Sequence, residues 1–168
     1  MEQISVILRG NTLLILYFDV NVKTLSESGK DYPWKKPQSC PRCNSRRLWW
    51  HSFVQRCFSK VSKKVYLKKC ICVDCSAVHT LRPITHLSRF QYSLLVITRC
   101  LLKKIRYSRW RSSVTRQNQQ YWFKVLRMKL YRYRNVDSIS IEDVKNYFRY
   151  LREGILFFSV RDPEVLRL

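Results

Sequence analysis

The chemistry open to this sequence lies in two Cys-x2-Cys pairs, CPRC at 40–43 and CVDC at 72–75. Two residues between a pair let one tight turn aim both sulfurs at a single ion, and thiolates suit zinc. Cys40, Cys43, Cys72 and Cys75 are therefore the candidate ligands of one Zn2+ in a tetrahedral site. Four thiolates leave no open coordination position, so the expected role of the metal is structural. An iron–sulfur cluster is the other use of four thiolates. The stretch KKCICVDCSAVHTL at 68–81 offers more donors than such a site needs. Cys70 can stand in for Cys72 only through a looser Cys-x4-Cys turn, so the tighter spacing selects Cys72. His79 is a ligand only if one cysteine is not, and otherwise a surface or packing residue. Cys57 and Cys100 lie in apolar runs and are expected to be small core residues. No His-x-Glu occurs anywhere in the chain, which removes the zinc deaminase pattern.

Something must hold the two pairs together. The 28 residues between Cys43 and Cys72 exceed the roughly 15–20 common in such sites, so the intervening hairpin is long. RRLWWHSFVQRCF and KKVYLKKCIC are aromatic and β-branched, with the polar SKVS between them, as strands joined by a turn require. This composition fits a zinc ribbon. Upstream, the apolar run split by Gly10 and Asn11 predicts two short strands, and residues 23–39 read as a loop closed by Pro33 and Pro37. Beyond Pro83 the period changes. Leu94, Leu95, Ile97, Leu101, Leu102 and Ile105 recur at helical steps. Thr115 is placed to cap a second helix with Trp122, Val125, Leu126 and Leu130 buried, and Ser140 to cap a third. Trp110 is expected in the core as well.

The 33 Lys and Arg residues against 11 Asp and Glu give a formal charge of +22. A compact chain with that self-repulsion calls for a polyanionic partner. The 46% apolar content is ample for a core and argues against wholesale disorder. No signal peptide is visible, and YSLLVITRCLL is interrupted by Arg99 and too short to span a bilayer. A cytoplasmic protein without membrane insertion is the expectation, and it accounts for seven cysteines outside a disulfide framework.

YPWKKPQS, CPRC, RRLWWHSFVQR and KKCICVDCSAVHTLRPITHLSRFQYSLLVI, taken in order, resemble small bacterial proteins with a transposase-type zinc ribbon. Such modules also form the N-termini of insertion-sequence transposases. The likeness covers about residues 30–130. It implies that FQYSLLVITRCLLKKIRYSRWRSSVTRQNQQYWFKVL is helix-turn-helix-like and that the chain binds DNA. It does not imply transposition, since only 34 residues follow Arg134, too few for a two-metal, three-carboxylate domain.

On that reading TRQNQQYW opens the recognition helix. Arg116, Gln117, Asn118 and Gln120 are the candidates for base edges, since Arg pairs with guanine and Asn or Gln with adenine. Arg46, Arg47, Lys68, Lys103, Lys104, Arg106, Arg109, Arg111, Lys124 and Arg127 are the candidates for phosphates. The expected fold class is α+β, a β zinc ribbon followed by helix-turn-helix-like helices. Its parts are N-terminal strands and loop (1–39), ribbon (40–87), basic helical segment (88–134), and C-terminal helix and tail (135–168). The expected function is non-enzymatic: a DNA-binding accessory or regulatory factor related to transposases, with duplex DNA as partner. The alternative is an RNA-binding or partner-docking subunit of a larger recombination or defence complex.

Overall fold

The structure, a computed structural model, describes residues 4–6, 13–88, 90–131 and 138–152. The chain is α+β and divides into a sheet unit that runs to Gln91 and a helical unit that starts at Tyr92. The tail after Arg152 and the turn at Gly10 and Asn11 lie outside the described residues.

Among the described residues, five strands form one mixed sheet: β1 (Ile4–Val6), β2 (Leu13–Phe18), β3 (Leu48–Arg56), β4 (Val65–Cys72) and β5 (Val78–Pro83). Their spatial order is β1-β2-β5-β4-β3. β3 and β4 make the long hairpin that the cysteine spacing demands. β5 follows the second cysteine pair, turns back antiparallel to β4, and lies parallel to β2. It is the central strand, and His79 through Pro83 are all buried along it. Such a continuous run, not alternation, marks a strand covered on both faces. Segments 1–39 and 40–87 thus contribute strands to one sheet.

Residues 23–39 are not a plain loop. Helix α1 (Val22–Ser28) leads into a 3-10 turn at Gly29–Asp31. The Asn21 side chain accepts the Lys23 N–H at 2.9 Å, which satisfies one free donor of the first turn. Gly29 ends the helix at φ 61° and its N–H returns to the Leu25 carbonyl, a stop that glycine makes without steric cost. Leu25 is the reason the turn persists. It is fully buried, packed with Trp34, Leu48, Phe58, Val65, Leu67 and Leu81.

The buried positions of β4 change parity along the strand, from Val65 and Leu67 to Cys70 and Cys72. Opposite them β3 slips by one residue between Trp50 and Phe53. This bulge adds local twist. Arg82, buried on β5, donates to the His86 and Phe90 carbonyls at 2.7 and 3.1 Å and lies over the Phe58 ring. The segment after β5 is thereby tied back onto the sheet.

In the helical unit, α2 (Leu94–Tyr107) packs against α3 (Arg116–Tyr131) and α4 (Ile141–Arg152). Ile97, Cys100 and Leu101 of α2 are buried, as are Trp122, Leu126 and Leu130 of α3. Val125 is half-buried at the margin of that stripe, and so is Trp110, which lies edge-on to Phe123. Ser140 caps α4 reciprocally: its hydroxyl accepts the Asp143 N–H at 3.1 Å and the Asp143 carboxylate accepts the Ser140 N–H at 2.9 Å. Among the described residues no helix is long and apolar enough to cross a membrane.

Candidate metal centre and basic surfaces

The two cysteine turns are copies of one local design. Cys40 N–H donates to the Ser45 carbonyl at 2.8 Å, and Cys72 N–H donates to the Ala77 carbonyl at 2.9 Å. The residue after each second cysteine is left-handed, Asn44 at φ 58° and Ser76 at φ 55°. Such a residue reverses the chain so that both thiols of a pair face inward, and asparagine tolerates it better than serine does. The strand pairing brings the copies together, since Leu48 lies opposite Cys72. Asp74 in the second turn receives Arg47 from the other side at 2.8 Å.

Cys40, Cys43, Cys72 and Cys75 converge, with all four Sγ atoms within 4.8 Å of one another. Cys40 and Cys75 are 3.6 Å apart, and Cys43 and Cys72 are 3.5 Å apart. The edge of a tetrahedron of thiolates around zinc is about 3.8 Å for Zn–S bonds of ~2.3 Å. The four side chains can therefore hold one metal ion. Burial pushes the Cys40 thiol up to about 12, against the pull of the Cys43 and Arg42 N–H groups. Burial acts upward on Cys72 too, but the Cys75 and Asp74 N–H groups and neighbouring thiols outweigh it and bring it down to about 7. Backbone donors thus already face the sulfurs, and a divalent cation held there would supply the rest of the charge that four thiolates need.

Cys70 is outside this cluster. It is fully buried in the sheet core, and burial raises its thiol to about 11. Cys100 is buried as expected, but Cys57 is exposed just past the end of β3 and is not a core residue. Composition alone misassigned it, because the core has Phe58 at the next position.

His79 takes a role that its spacing did not announce. It is fully buried on β5, directly opposite Cys70, and its Nε2 is 3.3 Å from Cys40 Sγ. Its Nδ1 is buried without a partner. In the tautomer with hydrogen on Nε2 the ring would donate to the Cys40 sulfur. A histidine aimed at a ligand atom from the adjoining shell orients that ligand and moderates its charge. The only sequence signal was its place in a β-type run four residues after Cys75.

The candidate nucleic-acid residues fall in both units. Arg46 and Arg47 are exposed before β3, and Lys68 lies on β4 over the Trp50 and Phe53 rings. In the helical unit Arg116, Gln117, Gln120, Lys124 and Arg127 are exposed on α3, with Asn118 half-buried. Lys103, Arg106 and Arg109 are exposed on and just after α2, while Lys104 and Arg111 are half-buried. Lys104 donates to the Ser108 carbonyl at 3.0 Å and lies over Trp110.

Gln119 belongs to the same polar run yet is fully buried. Its amide oxygen accepts the Arg111 N–H at 2.9 Å, and its nitrogen donates to the Arg111 and Val114 carbonyls, both at 2.7 Å. Gln119 therefore ties the α2–α3 connection to the first turn of α3. That connection, residues 108–115, is longer than the roughly three- to four-residue turn of a helix-turn-helix. No family model, curated protein or solved structure matches this chain.

Proposed function

We propose that this chain is a zinc-ribbon DNA-binding protein, a transposase-related accessory or regulatory factor with no bond chemistry of its own. The observation that carries the reading is the outer face of α3. Gln117, Gln120, Lys124 and Arg127 recur at steps of three and four residues, exposed, on a helix with no acid. Its N-terminal turn presents Arg116 and Gln117 outward, and that is the part of a recognition helix that meets base edges. Lys103, Arg106 and Arg109 supply cations for phosphates, which set register but not sequence. The α2–α3 pair acts as a helix-turn-helix-like reader, with the Gln119 clamp in place of a short turn. Zinc holds the two cysteine turns as a staple, and its closed thiolate shell keeps it out of any reaction.

The test is a binding titration of metal-quantified protein on duplex DNA and structured RNA across salt concentrations. The expected result is one zinc per chain and duplex binding whose log K falls linearly with log salt, about 0.9 per phosphate contact. Lys124→Ala and Arg127→Ala should each reduce that slope by about one contact. No duplex binding at low salt, or tighter binding to RNA, overturns the reading.

A further inference from the structure

The β3–β4 hairpin carries an aromatic pair that the core does not use. Trp50 is 39% exposed, and Phe53 beside it is half-buried. Three residues apart on a regular strand, these side chains would point to opposite faces. The bulge between them changes that. Trp50 lies opposite Cys70, and Phe53 lies opposite Lys68. Cys70 and Lys68 are two apart on β4 and share a face, so Trp50 and Phe53 share it too. Lys68 Nζ stands 4.2 Å from the Phe53 ring centre and 5.1 Å from that of Trp50. Two rings and a cation are thus grouped by one backbone irregularity, a device that re-aims side chains at functional sites.

We propose that Trp50, Phe53 and Lys68 form a stacking platform for an unpaired DNA strand. In the free chain Lys68 Nζ covers both rings; an incoming base takes its place on a ring face, and the displaced ammonium group meets the backbone phosphate. The charge is complementary: from Cys40 to Val73 the chain has nine Lys or Arg and no Asp or Glu. The first acid beyond, Asp74, is held by Arg47 at 2.8 Å. Aromatic faces select a single strand over a duplex because paired bases keep their faces inside the stack. β3 is an edge strand among the described residues, but a peptide adding there would use backbone groups and leave the rings idle, and the bulge and cations oppose such pairing. The proposal rests on the DNA-binding reading and adds a second mode: the hairpin holds a strand once the duplex is open.

The experiment uses the metal-loaded full chain with oligothymidylate, oligouridylate and a short duplex as probes. Trp50→Leu and Phe53→Leu keep an apolar side chain, and unchanged metal content and melting temperature verify their fold. Each is expected to weaken oligothymidylate binding roughly 5- to 100-fold and leave duplex binding unchanged. Trp50→Leu is also expected to reduce the tryptophan quench, and Lys68→Gln to lower the salt slope by about 0.7. Oligothymidylate binding that is absent in the native chain, or unaffected in both aromatic variants, overturns the platform. A clear preference for oligouridylate overturns its assignment to DNA. Retained, ring-dependent oligothymidylate binding without duplex binding supports the platform and overturns the duplex reading alone.

Discussion

Cys70 and Cys72 lie two positions apart and have opposite fates. Cys72 closes the thiol cluster, and Cys70 fills the sheet core. Cys72→Ser should therefore lose the metal and melt the hairpin end. Cys70→Ser should retain the metal and lose about 1–3 kcal/mol, the cost of a buried hydroxyl without a partner. Elemental analysis with urea titration separates them, and equal metal loss in both would remove the ligand assignment. Ser76 invites the opposite change. Its φ of 55° is strained for serine by about 1–2 kcal/mol, of which glycine returns roughly 0.5–1 kcal/mol as chain entropy. Ser76→Gly should leave metal content unaltered and raise the melting temperature; a lower one would show that the turn is unstrained.

Among the elements, the α2–α3 connection depends on one side chain. Gln119→Ala leaves the Arg111 N–H and the Arg111 and Val114 carbonyls without their partner. The expected loss is about 2–3 kcal/mol, seen as a lower unfolding midpoint, whereas Gln117→Ala and Gln120→Ala, at exposed positions, should leave it within about 0.5 kcal/mol. Equal midpoints for all three would refute the clamp. The turn after β5 has its own signature. His86, stacked on Phe58, is pushed down to about 4 by burial and then by the Arg82 guanidinium. The unfolded chain, with a histidine value of ~6.5, takes up the proton first as pH falls. Stability from neutral His86 is complete above pH ~6.5, declines as pH drops towards ~4, and changes no further below, a total of about 3 kcal/mol. Urea midpoints of native protein and His86→Gln at both ends of that window test this. Metal release affects both alike, so the difference between their pH slopes is the readout, and parallel slopes would exclude His86.

At the scale of the whole molecule, the charge of +22 opposes compaction unless a polyanion screens it. Stability should therefore rise when DNA is added at low salt, and by less as salt increases. Thermal melts with and without duplex DNA check this, and a DNA effect that is independent of salt would contradict it. The thiol cluster contributes in another way, by joining the turns before β3 and β5 across the hairpin. Its four cysteines were legible before any fold, because two intervening residues are a local covalent constraint. The hairpin, α2, α3 and the Ser140 cap were legible for a similar reason: strand composition, helical period and capping act over a few residues.

What lay beyond the sequence depended on partners distant along the chain. β5 is a central strand only because β2 and β4 flank it, and α1 holds because Leu25 is buried by residues as far away as Leu81. His79 meets Cys40 across 39 positions, and Trp50 joins Phe53 only through a slip in register. The donor set, the charge and the periodic elements are properties of residue type and near-neighbour spacing, and they can be read from the order of residues. Which polar residue is clamped, which aromatic is exposed and which histidine faces a thiol emerge only when distant segments pack. Burial is a property of the surrounding chain, and no local pattern encodes it.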